Sequence, residues 1–214
     1  MANTLGEMLD RIADETRYTG STERTIFGLC VNDAIAHYEV ERFWWNEARA
    51  LTFNTVANQR NYTSADAADI PQILLFDAVT LTRSASDLYT LDKADWLSFE
   101  EINADGATTG APYRYAYFSE SIWLDPVPDA AYAVRVAGVF KLAALTADGQ
   151  SNAWTTLGAG EELIRNRAKA LFYINYTRDD ENGSRCLQQA EAAYLRLKNS
   201  TQRRVGTNQV RPYL

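Results

Sequence analysis

Histidine, cysteine and proline are scarce in this 214-residue chain, which has one histidine, two cysteines and five prolines. The single histidine, His37, excludes a zinc site built on two or three such residues. It would also have to serve any Ser-His-Asp or Cys-His arrangement alone, and no G-x-S-x-G elbow accompanies it. His37 therefore reads as a surface or core histidine. Cys30 and Cys186 are far apart and form no CxxC pair, so neither a disulfide framework nor a structural zinc site is expected. No stretch approaches the ~18 uninterrupted apolar residues of a membrane span. The N-terminus lacks the basic region and apolar core of a signal peptide, so synthesis in a cytoplasm without sorting is expected. No glycine loop suits a phosphate, because Gly106 and Gly110 have neither the spacing nor the following helix. Arg178 to Gly183 has Asp180, Asn182 and Gly183 at calcium-loop positions three, five and six. Arg178 and Gln189 stand where the strongest carboxylates belong, and a capped inter-helix turn is the simpler reading. No catalytic residue, metal or cofactor is expected.

What is present is ordinary globular composition, with 46% hydrophobic and 23% charged residues. The net charge of -7 argues against a free-standing duplex-DNA binder, which needs a basic footprint to displace phosphate counterions. That charge is unevenly spread. Residues 1–50 carry nine acidic and five basic side chains, 51–158 thirteen and six, and 159–214 six and ten. In the last nineteen residues Arg196, Lys198, Arg203, Arg204 and Arg211 have no acidic neighbour in the sequence. A basic end on an acidic body suits docking onto another protein.

The periodicity divides the chain. Thr4-x-x-Glu7 is a capping box, and Leu5, Met8, Leu9 and Ile12 continue it as a short amphipathic helix. From Thr22 to about Ala50 a proline-free stretch with Ile26, Leu29, Cys30, Ile35, Tyr38, Phe43 and Trp45 predicts one long helix. Leu51–Val56 and Arg60–Thr63 alternate with period two around Ala57-Asn58-Gln59 and predict a hairpin. Further β-like runs are Ile73–Leu81, Asp87–Leu91, Tyr113–Phe118, Ser121–Leu124 and Tyr132–Leu142, with helical spacing between Lys93 and Ile102. Helical period returns at Gly158, turns at Asp179–Gly183 and runs to about Asn199. Ser200–Leu214 is polar, basic and aperiodic, and an extended tail is expected there. The predicted fold is α+β. It is a four-helix bundle, with helices in 1–50 and 158–199, a β-rich insertion over 51–157 and an extended tail over 200–214.

Carboxylates are numerous around Asp92, Asp95, Glu100, Glu101 and Asp105. Adjacent Glu100 and Glu101 would point about 100° apart on a helix and are no ready acid/base pair. Even so, the acidic, aromatic β insertion leaves a carbohydrate-acting or carbohydrate-binding protein as an alternative function. Phe43, Trp44 and Trp45 are consecutive, and on a helix they would span about 200° of its circumference. At least one of them would then pack against another helix, the β region or a second subunit.

Several segments form an ordered series. They are Ile35-x-x-Tyr38-x-x-x-Arg42-Phe43-Trp44-Trp45-Asn46-Glu47-Ala48-Arg49, then Thr52-Phe53-x-Thr55 with Gln59 and Tyr62, then Gly110-Ala111-Pro112-x-x-Tyr115. Ile122-x-Leu124-x-Pro126-x-Pro128-Asp129 and a closing helix pair complete it. In this order they resemble the head-to-tail connector (adaptor) proteins of tailed phages, which form a ring beneath the portal. The similarity covers about residues 22–200. It departs from the pattern after Tyr62, where Thr63-Ser64-Ala65-Asp66 replaces a Leu-Pro. The resemblance implies a non-catalytic structural virion protein in the neck between capsid portal and tail, serving genome packaging and ejection. The implied partners are the portal protein, further copies in a dodecameric ring and a downstream tail or nozzle protein. DNA is passing cargo only, no membrane is involved, and an acidic body would let DNA slide through a lumen. Arg203, Arg204, Arg211, Pro212, Tyr213 and Leu214 become the candidates for portal binding. Arg42, Phe43, Trp44 and Trp45 become the candidates for subunit packing, within or between subunits.

Overall fold

The computed structural model describes residues 4–102 and 106–205. Helices α1 (Leu5–Thr16) and α2 (Ser21–Glu39) come first, followed by strands β1 (Glu47–Asn54), β2 (Asn61–Tyr62), β3 (Ile73–Ser84), β4 (Asp87–Thr90) and β5 (Asp92–Lys93). Helix α3 (Trp96–Ile102) precedes β6 (Thr109–Gly110), β7 (Arg114–Phe118), β8 (Ser121–Asp125), β9 (Val127–Pro128) and β10 (Ala133–Phe140). Helices α4 (Ala153–Thr156), α5 (Gly158–Phe172) and α6 (Asp180–Val205) close the series, so the fold is α+β. Two compact units form, one from Asn46–Lys141 and the other from the chain on either side of it.

In the helical unit, α1 begins with the capping box. The Glu7 backbone N–H donates to Thr4 Oγ1 at 3.2 Å, and the Thr4 N–H donates to Glu7 Oε2 at 3.3 Å. Met8 and Ile12 of α1, Phe27 and Val31 of α2, Leu163, Ile164 and Phe172 of α5 and Ala190 and Leu197 of α6 share one buried core. Each helix supplies an i, i+3/i+4 stripe, and burying those stripes together is what holds the ends of the sequence in one unit. A π-helical turn, Tyr173–Thr177, follows α5. Asp179 then caps α6, its Oδ1 accepting from the Asn182 backbone N–H at 3.0 Å. The Arg178–Gly183 stretch is thus a turn and helix start.

The other unit packs two sheets around a core that includes Leu51, Phe53, Tyr62, Val79, Leu81, Tyr115, Ile122, Leu124, Val134 and Val136. One sheet is antiparallel in the order β1-β10-β3-β4 and the other runs β2-β8-β7-β5, with β5 parallel to β7. The short strands β6 and β9 pair by themselves. The period-two pattern sets the inward positions, such as Val134 and Val136 on β10. Between Ala137 and Gly138 the register against β3 slips. There the backbones approach so closely that a Cβ on residue 138 would lie 2.0 Å from the Leu75 carbonyl oxygen, and only glycine fits.

Three expectations are corrected. The helix predicted from Thr22 to Ala50 stops at Glu39, and Glu47–Ala50 already belong to β1. A helix would splay the three consecutive rings, whereas the non-helical connection buries Phe43 and stacks the partly buried Trp45 on it. The hairpin over residues 51–63 does not form, because β1 pairs with β10 and β2 with β8. Alternation marks a half-buried strand without naming its partner, and here the partners come from far along the chain. Residues 200–205, expected as extended tail, continue α6. Thr201 is buried there, so the helix gains packing that its polar sequence does not advertise. The short helix α4 was not expected either. Asn152 caps it by accepting from the Trp154 N–H at 2.8 Å.

Candidate functional site

The residues proposed for two separate contacts meet in the helical unit. Phe43 is fully buried and stacks parallel on Trp45, with centroids 4.8 Å apart and planes at 5°. Trp154 stands edge-on to both rings, at 5.4 Å from Phe43 and 5.5 Å from Trp45. Trp44, the residue between them, stands edge-on to Trp45 with centroids 5.5 Å apart and is half-buried. The Arg204 guanidinium lies 4.1 Å above its ring, and its backbone N–H donates to Thr201 Oγ1 at 3.4 Å. Arg42 is half-buried in the same connection.

One turn back on α6, Lys198 Nζ donates to Glu41 Oε2 at 2.6 Å and sits over the Tyr194 and Phe43 rings at 5.6 and 6.0 Å. The bond and charge of Lys198 hold the Glu41 carboxyl below its ordinary value. Burial alone would lower the Lys198 ammonium, but the bond to Glu41 outweighs it and holds the group up. Arg196 is paired as well, donating to Glu162 Oε1 at 2.6 Å. Two of the cations lacking an acidic neighbour in the sequence therefore find distant carboxylates, Lys198 that of Glu41 just after α2 and Arg196 that of Glu162 on α5. Arg203 and Arg204 stay exposed, and with Arg196, Asn199 and Ser200 they line an open recess at the end of α6. Such a recess can receive carboxylates of a partner protein. Arg211, Pro212, Tyr213 and Leu214 lie outside the described residues.

Groups that could carry chemistry are arranged otherwise. Burial pushes the Cys30 thiol up to about 11 and the Cys186 thiol upward, so both are protonated at neutral pH. His37 is exposed at the end of α2, edge-on to Tyr38 at 4.8 Å. Among the described residues no three His, Cys, Asp or Glu side chains converge as a metal site, and no helix is long and apolar enough to cross a membrane. In the β-rich unit Asp92, Asp95, Glu100 and Glu101 are each exposed, and Asp105 lies outside the described residues. Trp96 stacks on Phe118 at 4.3 Å and 10°, so these rings cover each other.

A family model described as SU10 adaptor protein matches residues 3–212, nearly the whole chain. The chain belongs to the SU10 adaptor protein family. Membership sets it among phage structural adaptors, virion proteins that interact with other head and tail proteins. A search of curated proteins finds no match. In this SU10 adaptor, Thr201, Lys198, Tyr194 and Trp154 complete the aromatic site; Lys198 stands out in the sequence only as a cation without an acidic neighbour, and nothing there marks Thr201, Tyr194 and Trp154 as site residues. The available signal was charge: Glu39 and Glu41 close the first helical stretch while 196–204 carries only cations.

Proposed function

We propose that this SU10 adaptor family member is a head-to-tail adaptor, a subunit of a dodecameric ring that joins the portal to the tail. The ring leaves a channel through which DNA passes during genome packaging and ejection, and the subunit carries no catalytic activity. In this reading α1, α2, α5 and α6 act as a four-helix bundle that builds the ring. Arg203 and Arg204, continued by Arg211, Pro212, Tyr213 and Leu214, dock on the portal. A downstream tail or nozzle protein binds below. The buried, protonated thiols support a structural role.

The observation that most supports the docking arm is the anchoring of the end of α6. Thr201 and Arg204 hold Trp44, and Lys198 holds Glu41, so the chain beyond Val205 leaves from a fixed point. Arg203 stands there exposed, without an ion-pair partner among the described residues. A fixed base lowers the entropy that a docking segment loses on binding.

The test is truncation after Val205. Co-sedimentation with purified portal should be lost while the thermal midpoint stays within a few degrees of wild type. Undiminished co-sedimentation would refute the docking role. Cutting at Thr201 would be a poor test, because it removes the contacts with Trp44 as well. Electron microscopy of the portal mixed with the full chain should show a ring of added density on one face of the portal, and its absence would sink the ring reading.

A further inference from the structure

Helix α1 turns a charged face to solvent, with Glu7, Asp10, Arg11 and Asp14 all exposed. Helices α2 and α6 do not. On α2 the exposed Thr22, Thr25, Leu29, Asn32 and Ala36, with Val40 at the helix end, recur every three or four positions and so share one side. They stand opposite the buried Phe27, Val31, Ala34 and Tyr38. None of the six is charged, and Leu29 and Val40 are 54% and 67% exposed. On α6 the exposed Ser184, Gln188, Ala192, Leu195, Asn199 and Gln202 form a second uncharged row, about five turns long, with Leu195 54% exposed in its middle. A helix that is apolar on both sides is suited to being covered on both, and the centre of a protein contact is depleted of charge.

The two rows belong to helices that flank α5 and run the same way. Helix α5 packs on both α2 and α6. Phe27, early in α2, meets Phe172 at the end of α5 at 4.7 Å, and Tyr38, late in α2, meets the Arg167 guanidinium at 5.9 Å, so α2 is antiparallel to α5. Helix α6 returns along α5 as well, its Arg196 reaching Glu162 near the α5 start at 2.6 Å. The charges differ in balance. Helix α2 carries Glu23, Asp33 and Glu39 against one arginine, Arg24, which Asp10 and Asp148 hold. On α6, Arg185, Arg196 and Arg203 follow one another down one border of the row. Glu191 lies on its other border, and Glu181, at the helix start, is 3.6 Å from Arg185.

We infer that the uncharged row of α2 on one copy packs against the uncharged row of α6 on the next, as a parallel helix pair that buries Leu29, Val40 and Leu195. This rests on reading the chain as a repeating subunit. One repeated contact then covers both rows, whereas a different partner on either row would leave the other exposed. Pairing α2 with α2 would set Asp33 and Glu39 against their own copies, and pairing α6 with α6 would do the same to the arginine border, so charge favours the mixed pair. The side-chain amides of Asn32, Gln188 and Asn199 are donors and acceptors that can bond one another across it. A contact between two different faces closes into a ring when its rotation allows.

The test is cross-linking between copies. Ala36→Cys and Ala192→Cys each put a thiol on one row, while the native Cys30 and Cys186 are buried. A short bis-maleimide should join the two variants into a covalent dimer when they are mixed, both free at millimolar concentration and bound to purified portal. Neither variant alone should cross-link to itself. A dimer from either variant alone, or none from the mixture in both settings, would overturn the inference. Leu29→Glu and Leu195→Glu give a second reading by sedimentation velocity. Each should associate about tenfold or more weakly than wild type, because the contact would bury an unpaired carboxylate. Their thermal midpoints should stay within a few degrees of wild type, since both leucines are exposed in the subunit. Unaltered association of either chain would overturn the inference, as would shielding of the two thiols by an added tail protein alone, which assigns the rows to that partner. Rings on the portal without the mixed cross-link would remove this contact and leave the ring reading standing, whereas the absence of rings would remove both.

Discussion

Replacing Arg165 by leucine is expected to cost the helical unit about 3–5 kcal/mol, the range for stranding one member of a buried ion pair. Arg165 Nε donates to Glu161 Oε1 at 2.7 Å, and its Nη1 donates to both Glu15 oxygens at 2.6 and 2.5 Å. The Arg165 and Glu161 side chains are 10% and 3% exposed. Without the guanidinium, the Glu161 carboxylate would keep only Arg11, at 3.5 Å, as a salt-bridge partner among the described residues. Denaturant unfolding measures the loss, and a change below about 1 kcal/mol, the scale of an exposed pair, would show that the network is solvated. Replacing Glu161 and Arg165 together by leucines should recover most of the loss, since an apolar pair leaves no buried charge behind.

The same network sets an acid dependence. Burial tends to raise the Glu15 carboxyl, but the hydrogen bond and charge of Lys169, joined by Arg165, hold it below its ordinary value of 4.5. A carboxyl depressed by folding contributes stability that is complete above its unfolded value and is lost as pH falls through its lower folded value. Glu41 beside Lys198 acts in the same direction. The unfolding midpoint should therefore fall as pH drops below about 4.5, less steeply in the Arg165→Leu chain. A midpoint flat from pH 6 to 3 would contradict this.

Phe43→Ala is the second large effect, expected at about 3–5 kcal/mol, as for deletion of a fully buried ring. Phe43 touches Trp45, Trp154 and Tyr194, two of them edge-on, and no part of it reaches solvent. Trp44→Ala should cost less, about 1–2 kcal/mol, because this half-buried ring loses the cation–π contact with Arg204 and one edge contact with Trp45. If Phe43→Ala unfolded like wild type but failed to assemble, Phe43 would be an inter-subunit residue instead. The pair of variants thus separates packing within the subunit from packing between subunits.

Much of this was legible in local sequence. Thr4 and Glu7 specify their own capping box, the alternation of Val134 and Val136 is the alternation of a strand, and breaker residues bound the β-rich stretch. Each signal is carried by neighbours within a few positions, where backbone geometry alone decides which side chains share a face. The order of segments around Arg42–Arg49 and Pro126–Asp129 pointed to the adaptor family, which the match over residues 3–212 bears out.

Tertiary structure decided what depends on distant partners. Nothing near Phe43-Trp44-Trp45 in sequence says that Trp154 and Tyr194 will enclose Phe43 or that Arg204 will cover Trp44. Those contacts, made across more than a hundred residues, end α2 early and prolong α6. The scarcity of histidine and cysteine bounded the chemistry from the first line, because a missing residue type is missing in any fold. The cations of the C-terminal stretch had to wait for the fold. Carboxylates distant in sequence, Glu41 after α2 and Glu162 on α5, neutralise Lys198 and Arg196, and that pairing separates the cations that hold the subunit together from Arg203, which faces outward.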